Sequence, residues 1–244
     1  MKRILCIMLC LCMSLCVCLV ACDDTDGDGT QNTTVADTTT GGTPENQTPS
    51  ADNGIGEEEW NNMLSENNFE NYTLLVEANM TTSQGGQIYG PNKSKSISKM
   101  TADNMQIILY TLDENGIESE LAREILTGET ADIQREQYSQ IFIKILSAYE
   151  NFTYDPETKT YKISELTVLD GTLKGLTFKG DVAQTIEVPC IIEIRNAEAV
   201  LSSDGKLLKL TCDYTQKMTM SGGEVTTFGI TTWTLYDYGT TMIG

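Results

Sequence analysis

Residues 188 to 236 constrain this chain more than any other stretch. Asp204-Gly205 is a tight-hairpin signal, and apolar residues alternate on both sides of it. A two-residue turn there pairs Ser203 with Lys206, Leu201 with Leu208, Ala199 with Leu210 and Ala197 with Cys212. Leu208, Leu210, Cys212, Tyr214, Met218 and Met220 then share one face. On the first strand the apolar positions are odd-numbered near the turn and even-numbered farther out, at Ile194, Ile192, Cys190 and Val188. That switch predicts a bulge near Arg195-Asn196. Gly222-Gly223 turns the chain into a last strand, Val225 to Tyr236, with Trp233 opposite Cys212. Turns this short make the neighbours antiparallel.

The same register tests a disulfide. With the bulge, Cys190 pairs near Met218, about six residues along from Cys212. At about 3.3 Å per residue the gap is roughly 20 Å, beyond bridging range. Both thiols are expected free and buried.

The best helix spans 131 to 150, with Thr130 as its cap and Asp132 in its first turn. Ile133, Tyr138, Ile141, Phe142, Ile145, Leu146 and Tyr149 form its apolar stripe. The stripe can pack on a sheet. It can also line an apolar ligand site, for which the candidate residues are Tyr138, Phe142, Ile145, Tyr149, Tyr214 and Met218.

Upstream, Glu57-Glu58-Glu59 followed by Trp60, Met63 and Leu64 reads as a short helix, 57 to 67. Asn71 to Thr81 alternates as a half-buried strand, with Tyr72, Leu74, Val76, Ala78 and Met80 on one side. Gly85-Gly86 and Gly90-Pro91 punctuate the chain, and Ser94 to Met100 reads as a polar, edge-like strand. Ala102-Asp103-Asn104 turns into an apolar strand, Met105 to Leu112, and Asn115-Gly116 is a hairpin turn. Residues 118 to 126 fit a returning strand or a short helix equally. Phe152 to Tyr154 and Thr160 to Ile163 form a hairpin around Asp155-Pro156. Gly171, Gly175 and Gly180 break 164 to 181 into short strands or loop.

Several chemistries have no support. The chain contains no histidine, which removes the usual general base, nucleophile activator and metal ligand. No phosphate-binding glycine loop, nucleophile elbow or zinc spacing occurs. The expectation is no enzyme, no cofactor and no metal. Asp24-Thr25-Asp26-Gly27-Asp28-Gly29 starts like an EF-hand loop, but its twelfth position is Val35, so it reads as solvated spacer. The net charge of −19 argues against nucleic acid as a partner.

Residues 23 to 56 are rich in Asp, Thr, Gly, Asn and Pro and hold almost nothing apolar. Such a tether has a root-mean-square span of about 30 Å. Before it, Lys2 and Arg3 precede an apolar run from Ile4 to Ala21. Charge, apolar core and small-residue exit form a secretion signal; the alternative is an uncleaved membrane helix. Five of the eight cysteines lie in this run, and cleavage takes the net charge to −21 by removing Lys2 and Arg3.

Leu19-Val20-Ala21-Cys22 resembles the lipobox of bacterial lipoprotein precursors. The resemblance implies cleavage before Cys22, lipidation of its thiol and a membrane anchor of the palmitate type on the extracytoplasmic face. It implies three segments: a signal peptide, 1–21; lipidated Cys22 with a polar linker, 22–56; and one folded domain, 57–244. The order of helix and strands is similar to LolA/LolB/LppX-type lipoproteins, whose curved sheet wraps a helix to hold lipid. Tyr236-Asp237-Tyr238-Gly239-Thr240-Thr241 resembles the C-terminal strand end of Gram-positive lipoproteins. The expected fold is α+β: a curved, half-barrel-like antiparallel sheet on one long amphipathic helix, with a short N-terminal helix. The expected function is a monomeric lipoprotein binding an apolar or lipid ligand in the sheet. The alternative is a surface interaction, adhesion or cell-wall accessory module without a cavity.

Overall fold

A computed structural model describes residues 54–65, 69–112, 116–147, 149–163, 167–179, 182–220 and 223–243. The expected signal peptide, Cys22, the EF-hand-like run and nearly all of the expected tether lie outside the described residues, as do Asn115, Gly180 and Gly222.

Ten antiparallel strands form one open sheet. They are β1 (Tyr72–Gln84), β2 (Gln87–Met100), β3 (Asn104–Leu112), β4 (Glu118–Thr127), β5 (Thr153–Asp155), β6 (Thr160–Ile163), β7 (Thr167–Lys179), β8 (Val182–Leu201), β9 (Leu207–Met220) and β10 (Gly223–Tyr236). The order across the sheet is β4-β3-β2-β1-β10-β9-β8-β6-β5. β7 and β6 lie end to end along the same side of β8. Two helices complete the described elements, α1 (Glu57–Met63) and α2 (Gly128–Leu146), with a 3-10 turn at Tyr149–Asn151.

Alternation dictates the strand faces. On β1, Tyr72, Leu74, Ala78 and Met80 are buried while Glu77 and Asn79 are exposed. On β9, Leu210, Cys212, Tyr214 and Met218 turn inward. Across this inner face lies α2, touching β3 and β4 at one end and β7 and β8 at the other. Nineteen residues at about 1.5 Å each span about 28 Å, close to the width of six strand spacings. Ala131, Gln134, Tyr138, Ile141, Phe142, Ile145 and Leu146 are its buried positions.

Several local expectations change. The Ser94 to Met100 stretch is not an edge: β2 pairs with β1 on one side and β3 on the other. Gly90 and Pro91 lie within β2, opposite a register shift between Met80 and Thr82, where proline's missing donor costs no ladder bond. Residues 118 to 126 are strand, paired along β3. β7 runs unbroken from 167 to 179 along β8, so its glycines do not interrupt it. At Gly171 the Lys144 ammonium of α2 sits where a side chain would project. The α2 cap is Thr127 rather than Thr130, without a side-chain capping bond, and Gly128 turns the corner at φ +56°. The helix ends at Leu146, so Tyr149 belongs to the 3-10 turn.

The β8–β9 register is right at Ala199↔Leu210 and wrong nearer the turn. Leu201 pairs with Leu207, and Ser202 N–H donates to the Lys206 carbonyl at 2.8 Å. The loop is therefore 203 to 205, with Gly205 at φ +76°, a turn-plus-bulge geometry rather than a two-residue turn. This puts Leu207, not Leu208, in the core. The expected bulge is present: pairing jumps between Arg195 and Glu198, and Asn196 has φ +50°. Both Asn196 and Ala197 then fall opposite Cys212, and Cys190 pairs with Met218. Trp233 faces Leu210, while Thr231 faces Cys212.

Gly229 marks the tightest approach in the sheet. Its φ is +154°, and an added Cβ would sit 2.1 Å from the Asn79 carbonyl oxygen. Gly229→Ala is expected to destabilise the fold by about 2–3 kcal/mol, read as a lower urea midpoint. Gly56→Ala, at the N-cap of α1, where an added Cβ meets no non-neighbouring atom within 4 Å, should cost less, about 0.5–1 kcal/mol from the poorer cap alone.

Candidate functional site

The six proposed ligand-lining residues are all drawn into one cluster. Tyr138, Phe142, Ile145, Tyr214 and Met218 are buried, and Tyr149 packs partly buried against the same core. Phe142 meets Trp233 edge-on at 6.1 Å and stacks on Phe69 at 5.8 Å. Tyr214 meets Trp233 edge-on at 6.0 Å. These side chains are part of one close-packed core, so an apolar ligand among them would have to displace a neighbour.

Tyr149 does different work from the other five. Trp60 of α1 packs on Tyr149, Phe152 and Tyr161 with ring centres at 5.5, 4.8 and 4.8 Å. Its indole N–H donates to the Leu146 carbonyl at 2.7 Å, satisfying an orphan acceptor at the end of α2. Tyr149 hydroxyl donates to the Ile55 carbonyl at 3.1 Å, and Ile55 N–H donates to the Tyr161 hydroxyl. Ile55 thus belongs to the fold although composition assigns it to the tether.

The C-terminal motif is a clasp. Gly239 N–H donates to the Asn71 carbonyl at 2.9 Å, and Thr241 N–H to the Asn71 side-chain oxygen at 3.0 Å. Tyr238 hydroxyl donates to the Leu207 carbonyl, its ring lies 5.9 Å from Tyr72, and Lys206 sits over it at 5.4 Å. Tyr238 is therefore committed to packing, as Trp60 and Trp233 are.

The titratable groups are arranged for structure. Burial raises the Cys212 thiol to about 12 and raises both Tyr72 and Tyr238. Cys190 and Cys212 are buried and neither is in a disulfide. Asp155 is lowered by Lys162, and its other oxygen accepts from Glu157 and Thr158 N–H at 3.0 and 3.4 Å, the chemistry of a turn. Glu57, Glu58 and Glu59 are exposed in the first turn of α1. Among the described residues no group of three or more His, Cys, Asp or Glu could hold a metal ion, and no helix is long and apolar enough to cross a membrane.

The sheet's other face carries a feature that the sequence reading missed. A groove of about 300 Å³ is lined by Glu77 and Asn79 of β1, Lys93 and Lys95 of β2, Leu112 of β3 and Ile230 of β10. Asn79 lies between Lys93 and Ile230, and Glu77 between Lys95 and Thr232. Lys95 is held by Glu118 at 2.7 Å and lies 5.7 Å from the Tyr110 ring. Beside the groove, Ile230 is 54% exposed and Phe228 is 41% exposed. The available signal was the outward set of β10, where Phe228 and Ile230 interrupt a run of threonines. No protein-family model matches this chain, and no curated protein matches it.

Raised acid constants give a signed pH dependence. The unfolded thiol and phenols ionise at about 8.5 and 10. The folded state holds Cys212, Tyr72 and Tyr238 in their neutral forms, so their contribution is intact below about pH 8.5 and declines as pH rises above it. Thermal midpoints should fall between about pH 9 and 11. At pH 8, Cys190 and Cys212 should react with a thiol reagent only on denaturation; rapid reaction of the folded chain would contradict their burial.

Proposed function

We propose that this chain is an extracytoplasmic lipoprotein, anchored through Cys22, whose folded part is a non-enzymatic interaction module working through the outward face of its sheet. The observation that carries this reading is the pairing of a groove with exposed Ile230 and Phe228 on a central strand, away from the core. Apolar side chains on a sheet's solvent face cost solubility unless they meet a partner. The six inner candidates support packing better than ligand binding, because they already satisfy one another.

A curved sheet fits the same reading. Register shifts at Met80/Thr82, Leu109/Tyr110 and Arg195/Glu198, with Gly229, supply bending points. Contacts of α2 with strands near both ends of the sheet support bending of that sheet around the helix. Bending toward α2 would leave the grooved face convex and open to large partners. The lipobox and tether, with the fold starting by Gly54, support presentation at a distance of about 30 Å from a membrane.

Two experiments test this. Labelled palmitate should enter the wild-type chain and not Cys22→Ala, which should persist as an unprocessed precursor; equal labelling refutes the anchor. Phe228→Glu with Ile230→Glu should cut binding to isolated cell envelope by about tenfold or more while changing the unfolding free energy from urea titration by no more than about 0.5 kcal/mol. Unchanged envelope binding, with lipid co-purifying with the soluble chain, would favour a ligand in the core instead.

A further inference from the structure

The two long edges of the sheet are not alike. β4 is protected: its pairing with β3 shifts register between Leu109 and Tyr110, and it carries Glu118, Glu120, Arg123 and Glu124. Laid antiparallel on a copy of itself, β4 sets like charges opposite for every centre of symmetry from Glu120 to Glu124. β7 differs. It runs thirteen residues without a register shift, lacks proline, and pairs with β8 alone among the described residues. Residues 182 to 189 of β8 likewise have β7 as their one described strand partner, because pairing with β9 begins at Cys190. The β7–β8 hairpin therefore projects past its neighbours, and a two-stranded arm is marginal in water without a third strand.

We infer that β7 pairs antiparallel with β7 of a second copy of this chain, about a two-fold axis at Thr172. The strand complements itself about that residue. With Thr172 facing its own copy, Asp170 faces the partner's Lys174 and Lys174 faces the partner's Asp170. Val168 faces the partner's Leu176, and Thr167 the partner's Thr177. Leu169 falls opposite the partner's Gly175, and Leu173 opposite the partner's Gly171, large beside small. A centre at Gly171 or Leu173 gives no Asp–Lys pair, and a centre at Asp170 or Lys174 sets like charges together. Thr172 is exposed and Val168 is 54% exposed, on the face that alternation assigns to Asp170 and Lys174. Lys174 also faces Glu187 of its own β8, so each charge row would alternate in sign: Glu187, Lys174, the partner's Asp170. Lys144 of α2 reaches past Gly171 and donates to the Thr172 carbonyl at 3.4 Å. That carbonyl keeps a second lone pair for the new ladder. Two sheets join edge to edge in this dimer. Its axis stands perpendicular to the sheet, so both outward faces, each with Phe228 and Ile230, point the same way. The inference does not depend on what those faces bind.

The test uses the full-length chain, oxidised in membranes for cross-linking and sedimented in a neutral detergent for affinity. Thr172→Cys should form a disulfide-linked dimer well above the wild-type level, since facing residues bring their Cα atoms to about 4.5–5.5 Å. Val168→Cys alone should stay at the wild-type level, because its two copies lie about 26 Å apart along the strands. A mixture of Val168→Cys and Leu176→Cys chains should cross-link. In detergent, Asp170→Lys and Lys174→Asp should each raise the dimer dissociation constant about tenfold or more, since each sets like charges opposite twice. Mixing those two variants pairs lysines with aspartates again, and should restore a dimer to within about threefold of wild type. Four results overturn the inference: a monomeric wild-type chain, no cross-link at Thr172, a cross-link as strong for Val168→Cys alone, or no recovery on mixing the charge variants.

Discussion

The seating of α2 across the inner face is the interaction on which the structure depends. Phe142, Ile145 and Leu146 are fully buried, and Phe142 reaches both Phe69 before β1 and Trp233 on β10. One helix thereby joins elements far apart in sequence. Burying a large apolar side chain contributes roughly 1.5–3 kcal/mol, and the helix does so repeatedly along one stripe. Remove that stripe and the ten strands lose the cover on their apolar side. The end of the helix is secured separately, by the Trp60 indole on the Leu146 carbonyl.

The consequence is a division of labour between faces. The inner face takes the large side chains and the thiols of Cys190 and Cys212. The outer face carries Lys93 and Lys95 of β2, Thr232 of β10 and two exposed apolar residues of β10, Phe228 and Ile230. Period-two alternation makes this separation automatic: Ala78 and Met80 turn inward while Glu77 and Asn79 line the groove. The tyrosine clasp at the C-terminus closes the sheet against residues 71–73, with Thr73 hydroxyl hydrogen-bonded to both Asp237 and Thr241.

Much of this was legible because strand faces are written in alternation. The β1 face, the bulge at Arg195–Asn196, the Ala199↔Leu210 pair and the separation of the two thiols all follow from counting residues. What counting missed was local. Aspartate-glycine fits both a two-residue turn and a three-residue turn with a bulge, and Gly205 takes the second, shifting Leu201 to pair with Leu207; the separate register of β10 on β9, which pairs Gly223 with Met220, puts Trp233 opposite Leu210. The glycines of β7 looked like breaks because their tertiary reason, the Lys144 side chain of α2 lying over Gly171, is invisible in a local window. Polar composition made β2 look like an edge, although lysines on an outward face are compatible with a strand paired on both sides. The groove was missed because its lining comes from four strands: 77 to 79, 93 to 95, 112 and 230.

The junction at Gly54 and Ile55 carries one more consequence. Tension arriving along the preceding chain would reach the Ile55 bonds to Tyr149 and Tyr161 first, then the seven-residue α1. Peeling these one at a time demands far less force than shearing the strand ladders beyond them. Because Trp60 of that helix caps the Leu146 carbonyl, displacing α1 would also loosen the far end of the helix that covers the sheet.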